Sequence, residues 1–430
     1  MDQVARASRL RRVLERLGGA LDPDRTQDRE QLRAVLKHLR ELRVEDGRRG
    51  DALAARLDAI ERSADALRQD TTANRRTLER TRQGAARQRD LVNRLLRRSG
   101  VDQRSAETED RITARMARIA RSRLPVIVGP WTGEVGFELL YWIPFLQWVR
   151  ETFPIDPSRL VVISRGGVAP WYRHVASEYE DIFATETPEA FRAATEARKK
   201  QQRIGEFDRR VVKRVMRARG IRQAHLLHPA LMYALFNSFW RYAATVKRLE
   251  EFARFRRLPV VPGTLDGKTT LPDRYVAVRF YFSECFPDTP ENRSFASRVV
   301  DGLAARGHVV LLNSDLVVDD HRDCGFERPG RVHVLSAHMR PEDNLALQTA
   351  AISGATAFVG TYGGYSYLAP LYGVSSVAFY SRQSFKQHHL ELAHRAFQRL
   401  GGAQLNPVDV RRVQPLAEAL SGLTLPIGTV

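Results

Sequence analysis

Apolar and small residues recur at alternating intervals of three and four from Leu57 onward, through Ile60, Ala64, Leu67, Leu78, Val92 and Leu95. Thr71, Asn74, Thr81 and Gln88 occupy intervening core positions of the same series. A period near 3.5 is that of a coiled coil, in which polar layers cost stability and fix register and partner number. An earlier piece with Leu32, Leu36, Leu39 and Leu42 is set off by Gly47 and Gly50, which weaken or bend a helix. Residues 1–120 therefore read as a long α-helical coiled-coil region that makes a homo-oligomer. A solvated helical extension packed on its own globular part fits the same pattern.

The period changes at Arg123-Leu124-Pro125. Val126-Ile127-Val128 is a short, doubly buried strand, Leu139 to Val149 an apolar helix, and Leu160 to Ser164 a second strand before the turn Arg165-Gly166-Gly167. Strand, helix and strand in that order begin a parallel sheet. Residues 188–257 read as helical throughout, with an interruption at His228-Pro229, and Pro259, Pro262 and Gly263 mark a linker. The alternation then restarts: strands over 275–280, 309–313, 332–335, 357–360 and 376–380 are separated by helices over 292–306, 342–353 and 366–372. The reading is an α/β protein with an N-terminal lobe over 124–258, a C-terminal lobe over 264–430 and a cleft between them.

Charge sharpens this division. The net +19 is carried by residues 1–120, at +9, and residues 191–260, at +13, while residues 121–190 carry −3 and the last 170 are neutral. Basicity without a nucleic-acid motif argues against a nucleic-acid protein. It suits an anionic membrane surface or an acidic acceptor, and equally a basic helical face packed on the acidic positions of the chain's own coiled coil. No run of 18 apolar residues exists and the N-terminus lacks a secretory apolar region, so a cytoplasmic protein, peripheral at the inner face of the membrane, is expected. Cys285 and Cys324 lack metal spacing and read as free thiols. No His-x-x-x-His or His-Glu-x-x-His pattern appears, and His388-His389 falls on a helix where adjacent side chains diverge, so no metal is expected.

In open parallel sheets ligands bind beyond the carboxyl ends of the strands, and a helix N-terminus there favours a phosphate. The loop after Val359 meets that description: Gly360, Gly363 and Gly364 allow close approach, and Thr361, Tyr365 and Ser366 carry hydroxyls. It is neither a Walker loop nor a dinucleotide fingerprint, and read alone it is also a plain strand-to-helix turn. Arg279, at the end of the first strand of this lobe, suits a bidentate pyrophosphate clamp or a structural ion pair. Asn313, Ser314 and Asp315 follow the next strand and suit a base or ribose. In the other lobe, Glu134 and Glu138 flank the glycines of Gly129-Pro130-Trp131-Thr132-Gly133-Glu134-Val135-Gly136. Glu138 also suits the positive end of the helix it opens, and Glu134 plain exposure. His174 and His338 are further cleft candidates.

Phe358-Val359-Gly360-Thr361, Gly363-Gly364, Leu368-Ala369 and Gly373-Val374, in the order helix, strand, loop, helix and strand from Asn344 to Tyr380, resemble the donor-binding half of GT-B glycosyltransferases. The texture is heptosyltransferase-like or O-fucosyltransferase-like. The architecture matches over about 124–420 and the motif over some forty residues; the acidic-Ser/Thr-Gly core of heptosyltransferase loops is absent, which leaves the donor open.

The resemblance implies two Rossmann-like lobes (GT-B type), with the glycine loop on the diphosphate of a nucleotide-sugar and an Arg placed like Arg279. It also implies, in enzymes that invert, a carboxylate in the position of Glu134, or second Glu138, taking the acceptor proton. The implied function is metal-independent transfer of a sugar, hexosyl or deoxyhexosyl, from a nucleotide-sugar used as substrate to a glycan, a lipid-linked acceptor or a cell-surface polysaccharide precursor. Two other readings stand beside it: a non-catalytic coiled-coil scaffold with a degenerate GT-B domain, and a related polysaccharide-modifying transferase such as a pyruvyltransferase. Deleting residues 1–120 is expected to lower the mass seen by light scattering; an unchanged mass would favour the packed extension.

Overall fold

The structure, a computed structural model, describes residues 101–196, 200–260, 271–314, 316, 322–326, 332–336, 339–385 and 387–411. The coiled-coil expectation over 1–100, and Asp315 and His338, lie outside the described residues. Among the described residues no helix is long and apolar enough to cross a membrane.

The first described element, helix α1 (Val101–Arg121), is part of the globular body. Ile112, Met116 and Ile119, spaced four and three, are at most 2% exposed in the core. Burial of each such side chain contributes about 1.5–3 kcal/mol. The helix stops against Arg159, whose Nη2 donates to the carbonyls of Ile119 and Leu124 at 3.0 and 2.9 Å, a cation at the negative end of the helix.

Strand β1 (Val126–Val128) follows, then a one-turn helix α2 (Val135–Phe137), a π-helical turn Glu138–Trp142 and helix α3 (Ile143–Thr152). Strands β2 (Leu160–Ser164) and β3 (Glu178–Asp181), helices α4 (Pro188–Glu196) and α5 (Glu206–Ala218), and strand β4 (His225–Leu227) complete an all-parallel sheet ordered β3-β2-β1-β4. Here the structure corrects the helical reading of 188–257: His225-Leu226-Leu227 pairs in register with Val126-Ile127-Val128. Three residues carry no period of their own, and only the neighbouring strand makes them β. Strand β3 escaped notice because its Glu-Tyr-Glu-Asp sequence is that of a charged sheet edge.

After the short helices α6 (Pro229–Leu235), α7 (Asn237–Trp240) and α8 (Val246–Glu250) the second lobe begins. It alternates strand β5 (Tyr275–Arg279), a short β6 (Tyr281–Phe282), helix α9 (Pro290–Ala304), β7 (His308–Leu311), a short β8 (Arg322–Asp323) and β9 (Val332–Val334). Helix α10 (Asn344–Ser353), β10 (Ala357–Thr361), helix α11 (Gly364–Leu371), β11 (Ser376–Tyr380), helix α12 (Gln387–Leu400) and β12 (Leu405–Asp409) complete it. Six strands form a parallel sheet ordered β12-β11-β10-β5-β7-β9, with β6 and β8 paired antiparallel beside it. Pro407 is tolerated in β12 because that strand is an edge.

The lobes pack on each other mainly where the segments after β1 and β2 and the linker meet helices α10, α11 and α12. Ala346 N donates to Gly166 O at 2.8 Å, Trp171 Nε1 to Thr349 Oγ1 at 3.1 Å, and Leu258 N to Leu371 O at 2.9 Å. Tyr141 Oη lies 2.5 Å from His389 Nδ1. His388 and His389, expected to diverge, stack at 4.6 Å between ring centroids, because Phe239 and Tyr242 take one ring and Tyr141 and Phe137 the other. Met116→Ala should lower unfolding stability by about 2–5 kcal/mol in chemical denaturation if α1 is as integral as its burial indicates.

Candidate functional site

The loop after β1 is held from three sides. Trp131 is fully buried and stacks on Trp142 at 6.0 Å. Gln201 receives Thr132 N on its Oε1 and donates Nε2 to Pro130 O, each at 2.9 Å. Arg165 Nη2 donates to Gly133 O at 2.7 Å. The anchor beneath is Glu138, whose Oε1 accepts from Ser164 Oγ at 2.7 Å and Tyr172 Oη at 2.5 Å, and whose Oε2 pairs with Arg165 Nη1 at 3.3 Å. Burial raises the Glu138 carboxyl above its ordinary range; the Arg165 charge and the hydrogen bonds oppose this in part. A carboxylate at 0% exposure with these partners orients the loop, and an acceptor hydroxyl does not reach it. The π-helical turn that starts at Glu138 widens the helix where this carboxylate turns inward.

Glu134 is placed differently. It is exposed, caps the one-turn helix α2 by its backbone, and lies close enough to Tyr233 for its charge to add to burial in raising that phenol. Among the described candidates His174 is exposed and sets Nε2 3.1 Å from Arg257 O.

In the C-terminal lobe the glycine loop joins β10 to α11. Gly360 pairs with Arg279 across the sheet, and a Cβ there would overlap the Arg279 carbonyl. A Cβ on Gly363 would overlap the Tyr281 hydroxyl. Both glycines are thus required by backbone and side-chain packing within the lobe. Thr361 and Ser366, expected to offer hydroxyls outward, use them inside: Thr361 Oγ1 bridges Tyr281 N and O at 3.0 and 2.9 Å, and Ser366 Oγ donates to Gly363 O at 2.7 Å while accepting from Gly363 N at 3.1 Å. Both are 0% exposed, since a strand-to-helix turn must satisfy its own backbone first.

Arg279 lies beside this loop. Its guanidinium stacks over Tyr365 at 4.2 Å, donates Nε to Asp323 Oδ1 at 3.0 Å, and bonds Gln348 Oε1 through Nη1. The ion-pair alternative is realised on the Nε edge. Asp323 Oδ2 in turn accepts from Ser314 N at 2.8 Å, and Asn313 Nδ2 donates to Cys324 O at 2.7 Å. A carbonyl only accepts, so this bond fixes the amide orientation and turns Oδ1 to the other side, where it is buried without a hydrogen-bond partner among the described residues. Asp323, which ties Arg279 to Ser314, and Gln348, which accepts from Arg279, carried no signal in the sequence; nor did Gln201. Arg165 did, as the residue opening a Gly-Gly turn after a strand.

The two halves meet directly. A Cβ on Gly364 would lie 2.9 Å from Gly136 N and from Val135 Cβ, so α2 rests on the first turn of α11. The structure therefore brings together the Glu134 loop, the glycine loop and the Arg279–Tyr365 stack, with Asn313 and Ser314 two strands away and Glu138 behind the wall.

No family model matches the chain, and no curated protein matches it. The chain is similar to GT-B glycosyltransferases of the heptosyltransferase type among solved structures. A glycosyl transferase family 9 protein from Veillonella parvula shares 12% identity at a TM-score of 0.37, over 71% of this chain and 91% of that one. Escherichia coli ADP-heptose LPS heptosyltransferase II shares 13% at 0.37, over 70% and 98%. E. coli heptosyltransferase WaaC with ADP-2-deoxy-2-fluoro heptose shares 15% at 0.35, over 69% and 99%. At these values the similarity bears on neither activity nor substrate.

Gly363→Ala should perturb the loop, and adding Tyr281→Phe, which removes the overlapping hydroxyl, should recover part of the lost thermal stability. Equal melting temperatures for the single and double variants would contradict the packing described.

Proposed function

We propose that the protein is a glycosyltransferase that moves a sugar from a nucleotide-sugar donor to a hydroxyl of a glycan or lipid-linked acceptor, without a metal. The observation that carries the reading is the meeting of the segment that follows the exposed Glu134, at Val135 and Gly136, with the N-terminus of α11, whose Tyr365 stacks on Arg279, at the carboxyl ends of two parallel sheets. The donor diphosphate lies against Gly363, Gly364 and the first turn of α11, with Arg279 offsetting its charge. The nucleoside extends toward β7. Two strand spacings, about 10 Å, separate the end of β10 from that of β7, and Asn313 Oδ1 supplies an acceptor for a base N–H or a ribose hydroxyl.

In the chemical step the acceptor oxygen attacks the anomeric carbon as its proton passes to the Glu134 carboxylate. The anomeric carbon–oxygen bond to phosphate breaks, and the nucleoside diphosphate leaves with the electron pair. Arg165 and Gln201, in this reading, hold the Glu134 loop at its working position. Arg209, Lys213 and Arg217 form an exposed stripe at four-residue spacing on α5, while Arg210 and Arg214 pair with Glu186. The stripe suits an anionic membrane surface or an acidic acceptor of polysaccharide synthesis, at a cytoplasmic location.

One observation favours the alternative of a non-catalytic body: α2 packs directly on Gly364, where a donor phosphate would approach. Calorimetry against UDP-, GDP-, ADP- and dTDP-sugars separates the two. Saturable binding of one donor, retained in Glu134→Gln while turnover falls by about 10²-fold or more, is expected for the enzyme; no binding by any donor supports the non-catalytic body.

A further inference from the structure

At the opposite, amino-terminal end of the C-terminal sheet, two imidazoles face one another. His308 opens β7 and His333 lies in the adjacent parallel strand β9, where it registers with Val310. His308 Nδ1 and His333 Nε2 are 3.3 Å apart, with ring centroids at 5.4 Å. The pair lines a shallow hollow of about 590 Å³ together with Leu271, Pro272, Asp273 and Arg274, and His308 is exposed.

Two nitrogen ligands at about 2.0–2.1 Å from one tetrahedral zinc ion stand roughly 3.3 Å apart. The observed separation is therefore the bite of a two-histidine chelate, already held by adjacent strands, as well as the length of a weak imidazole–imidazole hydrogen bond. We propose that His308 and His333 bind a divalent transition metal of the zinc class, with water completing the shell.

On binding, the proton between the facing nitrogens moves to an outer ring nitrogen, so that both imidazoles are neutral and each presents a lone pair. Among the described residues no group of three or more His, Cys, Asp or Glu side chains could hold a metal ion, so the described ligands are these two imidazoles. Asp273 and Arg274 line the same hollow. Imidazole pairs suit zinc, copper and nickel, and hard magnesium is a poor match.

The consequence is mechanical. Strand β9 is the edge of the six-stranded sheet and is joined to β7 by a ladder only three residues long. A metal shared by the two strands fastens that edge, and what binds the folded state alone raises its stability. The 25-residue separation of the two histidines hides the pair from any sequence spacing rule.

The test is calorimetric titration of the full chain with zinc chloride, followed by thermal denaturation with and without zinc. Expected are one saturable event and a rise in melting temperature, both weakened by at least about tenfold in His308→Ala and in His333→Gln, with magnesium giving neither. The glutamine variant keeps a hydrogen-bonding side chain on β9 and guards against loss of fold, which circular dichroism checks. Zinc affinity unchanged in both variants would put the metal elsewhere and overturn the proposal, as would a wild-type chain that never saturates.

Discussion

The candidate site depends on the approach of two backbones, at Gly136 and Gly364. A side chain on Gly364 would collide with Gly136 N and Val135, so helix α2 reaches the first turn of α11 only because glycine stands there. That contact joins the segment after Glu134 to the first turn after the glycine loop. The hydrogen bonds from Ala346 to Gly166 and from Trp171 to Thr349 lock the same seam further along. An interface made of backbone and buried polar pairs is specific in register, where a purely apolar one would slide.

The N-terminal wall rests on a buried charge. Glu138 and Arg165 are taken out of water together, and such a pair adds little net stability once desolvation is counted. Its value lies in direction. Arg165 holds Gly133 O while Glu138 holds Ser164 and Tyr172, so the end of β2, the loop after β1 and the π-helical turn share one hydrogen-bond network. The C-terminal wall repeats the device with Arg279 and Asp323, which join the ends of β5 and β7 to β8. In both lobes an arginine at a strand end is fixed by an acid of its own lobe.

Much of the fold was legible in the chain. The buried strands Val126–Val128, Leu160–Ser164, Tyr275–Arg279 and Ser376–Tyr380 announce themselves by unbroken apolar runs, because parallel strands are covered on both faces. In the two parallel sheets the strands that escaped, His225–Leu227, Glu178–Asp181 and Leu405–Asp409, are all edges, where half of the environment is solvent and polar residues or proline are tolerated. Among the candidate residues, the glycines, Arg279 and Glu134 were singled out in the sequence because their residue type and place after a strand are informative. Asp323, Gln348 and Gln201 were not, since each acts on a partner dozens of residues away.

The sequence by itself determined the interior parallel strands, where the glycine loop lies, and that two α/β units follow each other, because these follow from local period and backbone sterics. Tertiary structure alone decided the rest. It turned the Thr361 and Ser366 hydroxyls inward, buried Glu138 while leaving Glu134 exposed, tied Arg279 to Asp323, and set His308 beside His333. Each of those outcomes is a competition between solvent and a distant partner for one polar group, and only the packed chain brings the partner within reach.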